Sequence, residues 1–251
     1  MNNYPEILGI YSLRRKDDVG MGATTAKLDQ ITYWYCRQMS EDKAEVRPLN
    51  IHHIPSGIKQ DLPLAEFIKT YTPEPRYYLT HTVPAMKTLK IKIDQGEKLF
   101  DKGKFDEAER EFIKALMIDD LNVEANYGLG GVYSEKNDFL KLRKVMNTLL
   151  GLGEAFQVEH KVRLNKFAIT LRKNKQYEES ITFFSKAMEL HNVDENLYFN
   201  LARVLFEKGE LEICMRHLKT AIELNSSFVE AQKFLAYCQN MQNEGAKPLG
   251  I

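Results

Sequence analysis

The spacing of apolar residues predicts both a helix and strands in the first third of the chain. Residues 23–39 carry apolar side chains at the spacing of one helical stripe, at Leu28, Ile31, Tyr35 and Met39. Two shorter segments, EILGIYSL at 6–13 and EVRPLNIHHI at 45–54, have the composition of strands. The pattern therefore predicts a small mixed unit, and an extended segment that wraps over the following helices fits the same residues.

Proline separates this region from the rest of the chain. Seven of the eight prolines precede residue 85, and residues 85–247 contain none. Because a proline inside a helix costs about 3 kcal/mol and removes a backbone hydrogen bond, this absence predicts continuous helical structure. The segment between Pro73 and Pro84 is expected to lead into a long helix. Residues 227–230 have the spacing of a capping box, and they predict a final helix that ends at about Met241.

The helical part repeats itself with a period of about 34 residues. Gly96 aligns with Gly130, and Ala168 aligns with Ala202, in two pairs of similar segments. A period of this length is typical of stacked helix pairs. The step from the second copy to the third, from Gly130 to Ala168, is longer than the others, and the segment at 151–160 is expected to hold the four extra residues.

These copies resemble the tetratricopeptide repeat, a helix–turn–helix unit of the same period, in its bacterial type. The eighth position, which the family keeps small so that helices can approach, is small in all four copies. The second copy departs from the family pattern, because Leu142 and Leu149 occupy its twentieth and twenty-seventh positions. The resemblance implies a mainly α fold: a right-handed superhelix of about four repeats and a C-terminal capping helix, preceded by a small mixed or irregular unit. The implied boundaries are 1–85 for the N-terminal unit, 86–242 for the repeat domain, about 89–122, 123–156, 161–194 and 195–228 for the repeats, 228–242 for the cap and 243–251 for a flexible tail.

The resemblance also implies a binding surface, because the first helices of successive repeats line a concave groove that accepts extended or helical peptides. The groove-facing positions of the family carry acidic residues in the N-terminal half and basic residues in the C-terminal half. The residues expected to contact a partner are Asn165, Lys166, Arg172, Asn200, Arg203, Lys233, Phe199, Phe206 and Tyr237. An ordinary solvated helix surface fits these charges equally well, and Phe206 also fits a core position.

One branch of the family grips a C-terminal carboxylate with a clamp of lysine and asparagine side chains. Asn200 occupies a clamp-like position, but Asn165 and Ile169 stand where the clamp needs a lysine and an asparagine. The sequence therefore does not predict a full clamp. Aromatic and arginine side chains dominate the binding energy of many interfaces, so Phe199 beside Arg203 keeps the groove a candidate site.

Charge and cysteine content narrow the class of the protein. The 35 basic residues balance the 35 acidic ones, so we expect no sequence-independent binding to nucleic acid. Cys36, Cys214 and Cys238 have neither metal-site spacing nor an even number, which indicates a reducing compartment. With no signal-like N-terminus and no apolar run that could span a bilayer, a cytoplasmic protein is expected.

Candidate chemistry in the N-terminal region, 1–85, is sparse. Residues 20–25, GMGATT, faintly resemble a phosphate-binding loop but lack its GK[ST] ending. His52, His53 and His81 are potential metal ligands, but no carboxylate or cysteine spacing completes a set, and a structural or surface role is favoured. We therefore expect no catalytic residues, no cofactor and no metal. An enzyme with its site in this region is the least favoured alternative.

These features together predict a protein-interaction module that binds a partner peptide or protein segment in its groove. The partner is expected to be acidic where it meets the basic C-terminal half. The N-terminal unit would supply a second contact or occlude the groove. The alternative is a structural scaffold that self-assembles by docking its aromatic N-terminal unit onto the repeats of another copy.

Overall fold

The computed structural model describes residues 7–19, 26–57 and 59–243. The chain divides into two compact units, of which the first comprises 1–96 and 110–122 and the second 97–109 and 123–251. The helical repeats, the C-terminal helix and the mixed unit before them, all predicted from the sequence, are confirmed. The domain boundary between residues 85 and 86 stays a prediction.

A five-stranded antiparallel sheet forms most of the first unit. Its strands are β1 (Leu8–Val19), β2 (Ala26–Gln38), β3 (Lys43–Pro48), β4 (Gln60–Pro63) and β5 (Tyr71–Pro73), in the spatial order β4-β3-β2-β1-β5. β1 and β2 form a long hairpin in which Tyr11 lies opposite Trp34. Both predicted strands are confirmed, although β1 is longer than expected and β3 ends at Pro48.

The helix predicted over residues 23–39 is wrong, because residues 26–38 are strand β2 and residues 23–25 lie outside the described chain. Apolar side chains at helical spacing also fit a strand whose two faces are both partly covered. The segment from Thr32 to Tyr35 consists of β-branched and aromatic residues, which favour a pleated, half-buried surface, and all four are partly buried. Their density outweighs the helical spacing.

A short helix, α1 (Leu64–Thr70), packs on the sheet. Its apolar side chains join a buried cluster of Cys36, Ala44, Val46, Leu64 and Phe67. The ring of Phe67 stacks on Tyr71 at a centroid distance of 5.0 Å and meets the ring of Tyr11 edge-on at 4.9 Å. Burial raises the pKa of the Cys36 thiol to about 12, so this cysteine is a core residue and not a nucleophile.

A continuous helical stretch follows β5. The sequence predicts its long final helix, but not that the segment between Pro73 and Pro84 is itself helical. The stretch begins as α2 (Pro75–Tyr77), widens into a π-helical turn (Tyr78–Thr82) and continues as α3 (Val83–Asp101). Its partner is α4 (Phe105–Ile118). Turns of the π type are rare in proteins, and those that occur are often part of a functional site. This segment is therefore a candidate for such a site.

The loop between β3 and β4 caps the carboxyl end of α4 within the first unit. Asn50 donates from Nδ2 to the Ile118 carbonyl at 2.7 Å, and Ser56 donates from Oγ to Asp119 Oδ1 at 2.9 Å. Asp119 is only 7% exposed. Burial raises the pKa of this carboxyl group, and the hydrogen bonds that it accepts oppose the shift without cancelling it.

Three further helix pairs and a final helix follow. They are α5 (Val123–Glu135) with α6 (Phe139–Gly151), α7 (Lys161–Lys173) with α8 (Tyr177–Leu190), α9 (Glu195–Lys208) with α10 (Leu211–Leu224), and α11 (Val229–Asn243). We call the first helix of each pair helix A. Local chemistry sets the ends of α9: the Asp194 side chain accepts from the Asn196 amide, and Gly209 adopts the left-handed conformation after the last turn.

Glycines at the eighth position of the first two repeats permit close contact between helices. A Cβ atom added to Gly96 would lie 2.7 Å from the ring of Phe112, and one added to Gly130 would lie 2.8 Å from the ring of Phe167. These distances are shorter than Cβ contacts in proteins. A larger residue at either position would therefore displace a buried aromatic ring.

The connection between α6 and α7 is longer than the others, as the longer step between the second and third copies predicts. It contains two 3₁₀ turns, Gly153–Phe156 and Val158–His160. Phe156 is buried, with its ring 5.7 Å from that of Phe183, and Tyr127 donates its hydroxyl to the Ala155 carbonyl at 2.8 Å. Ala155 and Phe156 are thus a packed part of the second unit's core, whereas Val158 is exposed.

Replacing Tyr127 with Phe should lower the free energy of unfolding by about 1–2 kcal/mol, because the buried Ala155 carbonyl loses its donor. Chemical denaturation followed by circular dichroism measures this cost. Tyr198→Phe is the matched control, since its hydroxyl donates to the exposed Asn192 carbonyl and water can replace it. The control should cost less than about 0.5 kcal/mol. Equal costs for the two variants would contradict the role given to Tyr127.

Replacing Asp119 with Asn should raise stability at neutral pH. Because folding raises the pKa of this carboxyl group, its contribution to stability is complete below the ordinary value of 3.8 and is lost as pH rises through the folded-state pKa. The variant keeps an oxygen that accepts from Ser56 but carries no charge. Thermal unfolding should show a gain at pH 7 that disappears near about pH 3. A loss of stability at pH 7 would show that the charged form is needed.

Candidate protein-binding site

The nine residues predicted to line the groove lie on two helices A and on the final helix of the second unit. They are Asn165, Lys166 and Arg172 on α7, Phe199, Asn200, Arg203 and Phe206 on α9, and Lys233 and Tyr237 on α11. We call the surface that they form the helix-A face. Contacts between Arg172 and Glu207, and between Phe206 and Tyr237, connect the three helices across it.

The α7 part of this face is largely occupied by internal contacts. Lys166 donates to Asp101 Oδ1 at 2.6 Å, and its ammonium nitrogen lies 5.3 Å from the centre of the Phe100 ring. Asn165 is partly buried, and its Oδ1 accepts no hydrogen bond from any described residue. Lys166 is therefore engaged, whereas Asn165 retains an unused acceptor.

Arg172 is a buried cation at the end of α7. Its side chain is 8% exposed and forms an ion pair with Glu207 of α9. Partial burial lowers the pKa of the neighbouring Arg203 guanidinium, and the positive charge of Arg172 lowers it further. The carboxylate of Glu207 has the opposite effect on this pKa. Arginine keeps its charge at neutral pH despite such shifts. One carboxylate thus serves two arginines, and the cluster carries excess positive charge.

Arg203 and Lys233 are the open cations of the helix-A face. Both are exposed, and neither forms an ion pair with any residue in the described ranges 7–19, 26–57 and 59–243. Asn200 lies three residues before Arg203 on α9, so the two side chains share one side of the helix. Two cations and an amide are therefore available to an incoming group.

Five aromatic residues form a cluster beside these cations: Phe199, Phe206, Phe228, Phe234 and Tyr237. The ring of Phe199 lies 4.9 Å from that of Phe228, and the ring of Phe206 lies 5.2 Å from that of Phe234. All five are partly exposed, and Tyr237 is 53% exposed. Phe206 is accordingly not a core residue. Exposed aromatic clusters of this kind are typical of interfaces.

Ion pairs neutralise part of the acidic half of the predicted groove. Arg163 places Nε 3.1 Å from Glu97 Oε1 and Nη1 3.0 Å from Glu124 Oε1, while Lys166 pairs with Asp101. The charge contrast read from the sequence is therefore weaker in the folded chain. Arg163 was missed because it occupies the third position of its repeat, outside the family's groove positions.

Phe228 and Phe234 were also missed by the sequence reasoning. Phe234 occupies the sixth position of the cap helix, which is a groove-facing position in the family, so this signal was present. Phe228 precedes α11 in the capping segment, where the sequence identifies only a helix start. Phe228 belongs to the aromatic cluster because its ring contacts that of Phe199. The spacing of residues in the sequence does not predict this contact.

The first unit brings together two of the three histidines considered as metal ligands. The ring centroids of His53 and His81 are 5.0 Å apart. The side chain of His52, which precedes His53 in the sequence, is exposed. Among the described residues, no group of three or more His, Cys, Asp and Glu side chains could hold a metal ion.

The suggested phosphate-loop residues, 20–25, lie outside the described chain. No described helix has the length and apolar character needed to cross a membrane.

Residues 195–228 match the family model for the Tetratricopeptide repeat. They comprise α9 and α10, the fourth of the repeats predicted from the sequence, and the identity of the repeat is confirmed. A comparison with curated protein sequences found no match.

Several solved structures share part of the fold at low identity. MamA from Desulfovibrio magneticus RS-1 aligns with a TM-score of 0.47 and 17% identity over 62% of this chain and 86% of that one. PilF from Pseudomonas aeruginosa aligns with a TM-score of 0.48 and 18% identity over 63% and 70%. YrrB, described as a TPR protein with an unusual peptide-binding site, aligns with a TM-score of 0.43 and 20% identity over 61% and 76%. At these scores the likenesses add no argument about function.

Removing the Glu207 carboxylate should destabilise the second unit, because Arg172 would retain a buried charge without a partner. For Glu207→Ala we expect a loss of about 2 kcal/mol, below the value for a fully buried pair because the glutamate is 33% exposed. Lys166→Ala removes the exposed pair with Asp101 and should cost less than about 1 kcal/mol. Urea denaturation compares the two. A smaller loss for Glu207→Ala than for Lys166→Ala would contradict the assignment.

Proposed function

We propose that this chain is a protein-interaction module that binds an acidic segment of a partner protein on its helix-A face. The observation that carries the proposal is the pair of exposed cations, Arg203 and Lys233, next to a partly exposed aromatic cluster. Charged anchors beside aromatic rings combine the two contributions that dominate many interfaces. The match of α9 and α10 to a repeat used for protein binding supports the same conclusion.

Arg203 is the anchor for a carboxylate in this proposal. Glu207 is already paired with Arg172, so the positive charge of Arg203 is only partly balanced. A partner carboxylate would relieve the repulsion between the two arginines and accept charge-assisted hydrogen bonds from Arg203. Asn200, on the same side of α9, would add a neutral hydrogen bond. Lys233 would attract a second acidic group.

The aromatic cluster is the anchor for an apolar side chain of the same segment. Phe206 and Tyr237 lie 5.9 Å apart and expose ring surface that no described residue covers completely. An apolar residue placed there would bury this surface and gain about 25 cal/mol for each Å² removed from water. We therefore propose a partner segment with an apolar residue flanked by acidic ones.

The proposed segment is an internal one and not a free C-terminus. A carboxylate clamp needs a lysine where this chain has Asn165, and the nearest arginine on α7, Arg172, is buried in its own ion pair. The Oδ1 of Asn165 is buried and is an acceptor, so it offers no contact to a carboxylate.

We further propose that the chain works without catalysis and in the cytoplasm. The repeat that matches is a binding unit, and the predicted enzyme alternative would have to place its site within 1–85. All three cysteines are free and buried. Cys214 and Cys238 remain unbonded with their sulfur atoms 4.0 Å apart, which supports a reducing compartment.

The double variant Arg203→Glu with Lys233→Glu should weaken capture of the partner by at least tenfold, about 1.4 kcal/mol. It should change thermal stability little, because exposed charges contribute little to folding. Affinity capture from cells that contain the protein identifies the partner, and titration of the captured segment measures affinity. Binding that survives the double variant would overturn the proposal.

The matched control is Arg216→Glu with Lys219→Glu, which makes the same charge change at exposed positions of α10. It should leave binding within about twofold, because surface charges away from a contact mainly affect the association rate. Sedimentation velocity on the purified chain tests the self-assembling scaffold. A mass that rises with concentration and falls in the Arg203/Lys233 variant would favour that alternative over a separate partner.

A further inference from the structure

Two unusual backbone segments meet in the first unit. His53 has a φ of +62°, a left-handed conformation that is uncommon for residues other than glycine. His81 lies in the π-helical turn Tyr78–Thr82. Such local strain is concentrated at functional sites, so a pair of histidines held by two strained segments warrants a chemical explanation.

The rings around these histidines form an ordered stack. Tyr77 stacks between Tyr33 at 4.1 Å and His81 at 4.6 Å, with interplanar angles of 16° and 24°. His53 meets both Tyr77 and His81 edge-on, at centroid distances of 5.6 Å and 5.0 Å. The stack fixes the orientation of the His81 ring plane, and the Tyr77 hydroxyl contacts His53 Nδ1 at 2.7 Å.

The hydrogen bonds of Thr80 determine the tautomer of His81. Thr80 donates its only hydroxyl hydrogen to the Arg76 carbonyl at 2.8 Å, so its Oγ1 must accept in the 2.8 Å contact with His81 Nδ1. His81 therefore carries its proton on Nδ1, and Nε2 has a free lone pair. This is the state of a histidine prepared to bind a metal through Nε2, with the other nitrogen held by a hydrogen bond.

His53 is held in a comparable way. Asn50 Oδ1 accepts from the amides of His52 and Ile54 at 2.9 and 3.1 Å, which fixes the turn that presents the ring. Nδ1 of His53 is engaged by Tyr77, and within the described chain Nε2 makes no hydrogen bond. When Nε2 binds a cation, Nδ1–H donates to the tyrosine oxygen. In both histidines, Nδ1 is thus held by a hydrogen bond and Nε2 is available to bind a cation.

The separation of the rings suits a shared ion. A ring nitrogen is about 1.1 Å from the imidazole centroid and about 2.1 Å from a bound zinc, which places each centroid about 3.2 Å from the ion. With both Nε2 atoms directed at the ion, two centroids 5.0 Å apart would subtend an angle of about 100° at the metal. That angle is close to tetrahedral.

We propose that His53 and His81 bind one divalent transition-metal ion, of which Zn²⁺ is the example tested, through their Nε2 atoms. Imidazole nitrogen favours zinc, copper and nickel over magnesium and calcium. Since no third His, Cys, Asp or Glu of the described chain reaches this pair, water completes the coordination. The site links the β3–β4 loop to the π-helical turn, and it is independent of the function proposed for the helix-A face.

Isothermal titration of the full, tag-free chain with ZnCl₂ tests the proposal. Saturable binding of one Zn²⁺ per chain is expected, and His53→Ala and His81→Ala should each weaken it at least tenfold. His52→Ala is the matched control, because it removes an exposed neighbouring imidazole, and it should leave the affinity within twofold. No saturable binding, or an equal loss in all three variants, would overturn the proposal.

A second measurement keeps the test valid if an alanine variant disturbs the ring stack. In the unchanged chain, zinc should shift the side-chain nitrogen resonances of His53 and His81 and leave those of His52 in place. Thr80→Val, which removes the oxygen that fixes the His81 tautomer, should weaken binding about tenfold, and Thr80→Ser should restore it. Shifts confined to other histidines would refute the assignment.

Discussion

Close packing around the glycines of the first two repeats is the constraint on which the helical part of this protein depends. The Phe167 ring occupies the space that a Cβ on Gly130 would need, and it contacts Tyr127 and Phe183 edge-on at 5.7 and 4.9 Å. This aromatic core fixes the third helix A against the second. Once these two helices are held together, their side chains at equivalent positions share one side. The position of the α7 part of the helix-A face therefore depends on how the space beside Gly130 is filled.

The same residue type has two roles on that face, and one carboxylate decides between them. Arg172 is buried and paired with Glu207, so it links α7 to α9. Arg203, one repeat further along, is exposed and has only a share of the same glutamate. Arg163 and Lys166 resemble Arg172 in forming internal ion pairs. Arg163 pairs with Glu97 and Glu124, and Lys166 pairs with Asp101. Internal pairing leaves the open positive charge at α9 and α11.

The sequence was sufficient for features that depend on local spacing and insufficient for those that depend on distant partners. The regular repeat period predicted the helix pairs and the longer connection within 151–160, and the capping-box spacing predicted the final helix. Spacing alone failed over β2, where helical periodicity coincided with a dense run of β-branched and aromatic residues. It also could not join His53 to His81, because their proximity depends on a turn and a π-helical segment that lie far apart in the sequence. The residues predicted for the groove lie on α7, α9 and α11, and their ion pairs and ring contacts required the fold.

Because α11 lies at the end of the helix pairs, its local stability is connected to the proposed binding of a partner. Within the described chain α11 packs chiefly on α10, with Cys238 against Cys214, so its release exposes less apolar surface than release of an internal helix would. Lys233 and Tyr237 are on this helix. Under the function proposed above, only chains with α11 in place would bind, and the apparent affinity would scale with their fraction. Evolution could therefore adjust affinity through the packing between α10 and α11, without altering any residue that a partner touches.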